Sequence, residues 1–206
     1  MRSLKFRSGR GYPARKRGQE CRVRLGDWLT AEKVQVLWQA PDPTRVKGKR
    51  DRALLALLLA CGLRRHEAVK LRVADIEQRE EHWAIVDLIG KGHHVRTVPI
   101  PTWVWSVLNE WLSAAGIRDG RIFRRVSRTG RIVGPGITAK AVWHVVKQAA
   151  RAAGISKLAP HDLRRSCARL CQTAGVELEQ IQLLLGMYQF KPRNDTSVLS
   201  NAFALP

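Results

Sequence analysis

Apolar positions change period twice along this chain of 206 residues. Thr30 stands where a helix over 31–38 needs its cap, and the Pro41-Asp-Pro turn stops that helix. Residues 51–61, Asp-Arg-Ala-Leu-Leu-Ala-Leu-Leu-Leu-Ala-Cys, are apolar nearly all round. That pattern predicts a buried helix, and Gly62 suits its end. A short helix over 65–71 follows. The period then drops towards two: Trp-Ala-Ile-Val-Asp-Leu-Ile (83–89) reads as a strand and Val-Arg-Thr-Val-Pro-Ile (95–100) as its partner. Gly-Lys-Gly-His-His (90–94) is the turn between them. Helical spacing returns over 102–115, carrying Trp103, Val104, Val107, Leu108 and Trp111. The tryptophans there read as packing anchors, not as a platform for stacking bases.

The second half is helical with one irregular stretch. Residues 121–123 suit a short edge strand, and 124–136 form a basic, glycine-containing loop. Thr138 can cap a helix that runs to 153, and two more helices cover 160–174 and 177–185 around Gly175. Beyond Gly186 the text is mixed and polar without a clear period. The predicted fold is mainly α with a small antiparallel β-sheet, and there is no internal repeat.

Charge changes this picture most. Lys and Arg number 37 against 17 acids, a formal net charge of +20 and a pI near 11.1. Such an excess is the footprint of a polyanion binder, most often of nucleic acid, and ribosomal proteins share it. The basic start of the chain, residues 1–26, reads as an arm or linker remnant that orders on meeting an anion. No apolar run is long enough to span a membrane, and the basic N-terminus has no apolar signal core. The four cysteines form no Cys-x-x-Cys pair, so they read as reduced packing thiols; no metal and no cofactor is expected. The expected compartment is the cytoplasm, at the nucleoid in a prokaryote.

The candidate chemistry begins at Ala159-Pro-His-Asp-Leu-Arg-Arg-Ser. Pro160 suits the first turn of a helix, so His161 and Arg164 fall on one face beside the positive helix end. A proton-transfer group, a fork of donors and a favourable dipole can hold a phosphate; a capped helix with a solvated charged face fits the same spacing. The run Gly-Pro-Gly-Ile-Thr-Ala-Lys (134–140) lacks the spacing of a phosphate-binding P-loop. Two further pieces sit upstream: Gly62-Leu-Arg-Arg-His-Glu (62–67) and Gly-Lys-Gly-His-His-Val-Arg-Thr-Val-Pro (90–99).

With these three pieces in order, followed by Leu-Leu-Leu-Gly (183–186), the chain resembles the catalytic domain of the tyrosine site-specific recombinases, often called phage integrases. The resemblance spans 28–186. It implies that Arg64 is the first catalytic arginine, Lys91 the hairpin-turn lysine, and His161 and Arg164 the second box. Members attack a DNA phosphate with a tyrosine, forming a covalent phosphotyrosine and releasing a 5′-hydroxyl. Two arginine forks suit the charge that grows on the non-bridging oxygens. By the resemblance Lys91 protonates the leaving oxygen and His161 assists proton transfer. Glu67, one turn beyond Arg64, is expected to orient it. Arg65, His94 and Arg165 are candidates for DNA-backbone contact; Arg65 and Arg165 also read as solvated arginines, and His94 as a turn residue. The implied partner is double-stranded DNA, with a homo-oligomer assembling on it and no membrane.

The pattern departs at the end. The family places a histidine or tryptophan after Leu-Leu-Gly and the nucleophilic tyrosine nine residues later. Here those positions hold Met187 and Thr196, and Tyr188 falls eight residues too early. Shifting the reading frame by one nucleotide at codon 186 permits His-Val-Ser-Val-Gln-Thr-Thr-Glu-Arg-Tyr, which restores both residues at family spacing. The expected layout is therefore an arm over 1–26, a catalytic domain over 27–186 and an atypical, frameshifted tail over 187–206. No nucleophile is identifiable, and catalysis is expected to be impaired.

Overall fold

The computed structural model describes residues 28–90 and 93–187. Its helices are α1 (Ala31–Gln39), α2 (Val46–Ala60), α3 (Arg65–Lys70), α4 (Thr102–Ala115), α5 (Ala139–Ala152), α6 (Pro160–Thr173) and α7 (Leu178–Leu185). Strands β1 (Ile76–Arg79), β2 (His82–Ile89) and β3 (Val95–Ile100) form an antiparallel sheet in that order. Strands β4 (Arg125–Val126) and β5 (Ile132–Val133) pair as a separate small hairpin.

The all-round apolar run becomes the axis of the molecule. Every residue from Ala53 to Cys61 is buried, and α2 packs against α1, α3, α4, α5 and α6. Each of its five fully enclosed leucines contributes about 1.5–3 kcal/mol of apolar burial. Thr30 caps α1 by accepting from the Lys33 N–H, and Thr138 caps α5 by accepting from the Ala141 N–H. The tryptophans of α4 are packing groups. Trp111 is buried and donates its indole N–H to the Ile122 carbonyl at 3.0 Å, while Trp83 and Trp105 stack with centroids 3.8 Å apart.

Three expectations need correction. The sheet has a third strand, β1, whose polar sequence Ile-Glu-Gln-Arg carries little alternation because it is an exposed edge. Residues 121–123 are not a strand: Arg121 makes one isolated bridge to Arg72, and Ile122 and Phe123 turn into the core. The stretch expected as loop contains the β4–β5 hairpin. In addition, α2 starts at Val46, one turn before its apolar run.

One irregularity matters for the site. The β2–β3 register shifts between Ile85 and Leu88, where Asp87 takes φ 50. This extra residue in β2 sets Leu88 opposite Arg96. Arg96 shares its strand face with Val98 and Ile100, both buried, so the period of β3 turns an arginine inward.

Candidate functional site

Gly62 ends α2 with φ 57, a left-handed turn open to glycine. A Cβ there would lie 2.5 Å from the Leu185 side chain and 3.2 Å from Cys167 Sγ, so α6 and α7 close against this turn. The turn delivers Arg64 to the N-cap of α3 in extended conformation, φ −74 and ψ 146. Glu67 then sits one turn further on, within reach of the cap. Its Oε2 accepts from the Arg64 backbone N–H at 2.8 Å, and its Oε1 accepts from Arg64 Nη1 at 2.9 Å.

A second arginine closes on the same carboxylate from β3. Arg96 donates from Nη2 to Glu67 Oε2 at 2.8 Å and from Nη1 to Oε1 at 3.2 Å. Its Nε donates to the Leu184 carbonyl in α7 at 3.0 Å. The Glu67 and Arg96 side chains are 5% and 8% exposed. Burial pushes the Glu67 carboxyl upward; the hydrogen bonds from Arg96 and from the Arg64 backbone, with the charge of Arg96, outweigh it and hold the group below its ordinary value.

The second box arrives on α6. Pro160 opens the helix, and Asp162 Oδ2 accepts from the Ala159 N–H at 2.9 Å. Ser166 locks the helix to the start of the described chain: its hydroxyl accepts from the Leu29 N–H and donates to the Asp162 carbonyl, each at 2.8 Å. Arg164 is buried and donates from Nη1 to the Gly62 carbonyl, beside the turn that sets Arg64. Its Nη2 is buried without a hydrogen-bond partner among the described residues. Burial, and after it the charges of Arg64 and Arg96, push Arg164 down to about 10. A buried cation with an unused donor beside two other arginines is short of negative charge, and an anion relieves both costs.

The structure thus brings Arg64, Glu67 and Arg164 together. Arg64 keeps a third of its side chain exposed while Arg164 stays buried, so one fork opens to solvent and the other backs it. His161 lies exposed in the first turn of α6, one turn before Arg164. Arg65 is exposed at the start of α3, without a carboxylate within ion-pair distance among the described residues. His94 is exposed at the foot of the hairpin turn, where its carbonyl accepts from the Gly90 N–H at 2.8 Å. Arg165 is exposed but pairs with Asp162 at 3.3 Å, which binds it to its own helix turn. Lys91, Tyr188 and Thr196 lie outside the described residues. Cys61, Cys167 and Cys171 are free, buried thiols behind the pocket.

Arg96 is the residue that motif reading missed. Its signal was present in the strand pattern: Arg96, Val98 and Ile100 occupy one face, and a charge on a core-facing position needs a buried partner.

With this geometry in view, the relatives are informative. Residues 27–189 match the phage integrase family. The tyrosine recombinase XerD of Pseudomonas putida is 36% identical over 164 residues, covering 77% of this chain and 52% of the relative. XerD of Vibrio cholerae is 35% identical over 171 residues, covering 80% and 54%. The chain therefore spans about half the length of the curated relatives it matches. Among solved structures, the XerA recombinase has a TM-score of 0.61 at 21% identity, over 77% of this chain and 55% of that one. The lambda integrase catalytic core has a TM-score of 0.58 at 19% identity, over 80% and 93%. These structures share the fold, and the sequence matches carry the lineage: this chain belongs to the phage integrase family, that of the tyrosine recombinases.

Proposed function

We propose that this chain binds double-stranded DNA as the catalytic domain of a site-specific recombinase acting in DNA integration and recombination, with strand cleavage impaired. The observation that carries this reading is the convergence of Arg64 and Arg164, one fork a third exposed to solvent and the other buried with a donor that has no partner among the described residues. Two such forks suit the non-bridging oxygens of a backbone phosphate, whose charge grows as the phosphorus takes on a fifth ligand. In the full reaction a tyrosine oxygen bonds to phosphorus, the bond to the 5′ oxygen breaks, and that oxygen leaves as a hydroxyl. Lys91 supplies the proton to the leaving oxygen and His161 assists transfer from the tyrosine. Glu67 takes no part in proton transfer here, because its charge is committed to holding Arg64.

Thr196 stands at the position of the nucleophile, and a threonine hydroxyl in its place gives no phosphotyrosine. The proposed layout is an arm over 1–26, a catalytic domain over 27–186 and a frameshifted tail over 187–206. Arg65 and His94 touch the DNA backbone; Arg165 does so only after releasing Asp162. Among structural relatives, XerH is bound to its difH substrate and a lambda integrase dimer to a core site, which supports a DNA-bound oligomer here. Among the described residues no helix is long and apolar enough to cross a membrane; action at the nucleoid rests on the DNA-binding reading alone.

A nicked suicide duplex tests the reading. The expected outcome is tight, steeply salt-dependent binding without a covalent adduct. A protein–DNA adduct surviving denaturation overturns the impairment, and failure to retain duplex DNA at low salt overturns the function. Pure occupancy of recombination sites without cleavage is the second reading, favoured by Thr196.

A further inference from the structure

We propose that Arg96 is a positioning residue of the phosphate pocket: it couples the seating of the α7 end to the order of the Arg64 guanidinium, through Glu67. This rests on the functional reading above and adds to it a residue that lies within the 90–99 piece and to which the motif reading assigns no role.

All three nitrogens of the Arg96 fork are committed, two to Glu67 and one to the end of α7. Nη1 and Nη2 take both oxygens of Glu67, the same oxygens that hold the Arg64 side chain and backbone. Nε takes the Leu184 carbonyl. The end of α7 explains why that carbonyl is free. The Met187 N–H returns to the Gln182 carbonyl at 2.9 Å and the Gly186 N–H to the Leu183 carbonyl at 3.0 Å, a glycine-type helix stop with Gly186 at φ 56. Leu184 is the next carbonyl in line, and Arg96 satisfies it from another element.

Two glycines make room for this side chain. A Cβ on Gly186 would lie 3.1 Å from Arg96 Cδ and Nη1, and one on Gly90 would lie 3.0 Å from Nη1. The Gly90 position also faces Arg64 Nη1 and Glu67 Oε1, each at 3.5 Å. Gly90 is the root of the turn that bears Lys91, and Gly186 is the point where the chain leaves α7 towards the C-terminal segment. Arg96 is therefore wedged between the roots of both segments that the reaction needs, with its head on the carboxylate that sets Arg64.

The coupling follows from the shared carboxylate. When the α7 end is displaced, Nε loses its acceptor and the fork loses the wall that Gly186 provides. Glu67 then loses two of its four donors, and Arg64 loses a partner of fixed orientation. Lysine cannot replace this fork, because a single ammonium cannot bridge a carboxylate and a helix carbonyl in fixed geometry.

The test uses the full chain and separates a positioning role from a structural one. Arginine-edited NMR follows the Arg64 guanidinium N–H groups, of which Nη1 donates to Glu67, in the wild type and in Arg96→Lys, with thermal melting as the check on folding. Arg96→Lys is expected to leave the chain folded and speed Arg64 exchange with water about tenfold, a local opening. An unchanged Arg64 signal in a folded variant overturns the proposal. If Arg96→Lys fails to fold, Gly186→Ala crowds the same side chain and is expected to give the same Arg64 signature; an unchanged signal there sinks the idea equally. The second arm is a binding cycle on duplex DNA. Arg96→Lys is expected to weaken binding about fivefold with Arg64 present and under about twofold on Arg64→Ala, the mark of coupled residues. Equal losses in both backgrounds overturn the coupling. If the wild type binds no duplex, the functional reading falls, while the NMR arm still decides the role of Arg96.

Discussion

Among the described residues there are two buried carboxylate–arginine sites, and they behave oppositely. On α2, Asp51 meets Arg50, its neighbour in sequence; both Arg50 contacts fall on Oδ1, and Lys47 stands 3.6 Å from Oδ2. In the pocket, Glu67 takes four hydrogen bonds spread over both oxygens, from Arg96 twice and from Arg64 side chain and backbone. Burial raises the Asp51 carboxyl above its ordinary value even against the Arg50 charge. Glu67 is held below its ordinary value in spite of burial. An arginine nearby does not by itself settle a buried acid. What decides is whether every lone pair has a charged or backbone donor to replace water. Asp51 is an acid the core tolerates, and Glu67 is one the pocket is built on.

This contrast can be broken by substitution. Glu67→Gln leaves three arginines near one another without their counter-charge and is expected to cost about 3 kcal/mol or more in urea unfolding. A loss no larger than that of Asp51→Asn would end the distinction. The acid limb of stability sharpens it with opposite signs. Glu67 has a folded value below 4.5, so its contribution is present above that pH and disappears as pH falls through the folded value. Asp51 has a folded value above 3.8, so its charge weakens the fold above that window and protonation restores stability as pH falls. Thermal melts from neutral pH to about pH 3 should therefore show a flatter acid limb in Glu67→Gln and a steeper one in Asp51→Asn. The smallest effect is at neutral pH, where Asp51→Asn should stay within about 1 kcal/mol of the parent, since an amide oxygen still accepts from Arg50.

Much of this was readable before the structure. The period of three to four located α4 at both of its ends, Pro160 marked the start of α6, and Thr30 and Thr138 were found as caps. Those signals are local: propensity, capping chemistry and the cost of exposing an apolar face act within a few residues. Arg64 and Arg164 were found by motif, which names residues without placing them. The β1 edge and the β4–β5 hairpin escaped because short, exposed strands carry little alternation and exist through pairing.

The chain by itself determined the central buried helix, the hairpin, and the residue types that suit a phosphate. Only the tertiary structure decided that Arg64 and Arg164 converge at the Gly62 turn, and that Arg96, 29 residues from Glu67, completes the carboxylate between them. The reason is physical: a side chain's partner across the fold depends on register, on the irregular pairing near Asp87 and on how α7 closes over β3. No periodicity within β3 or α3 encodes that distance.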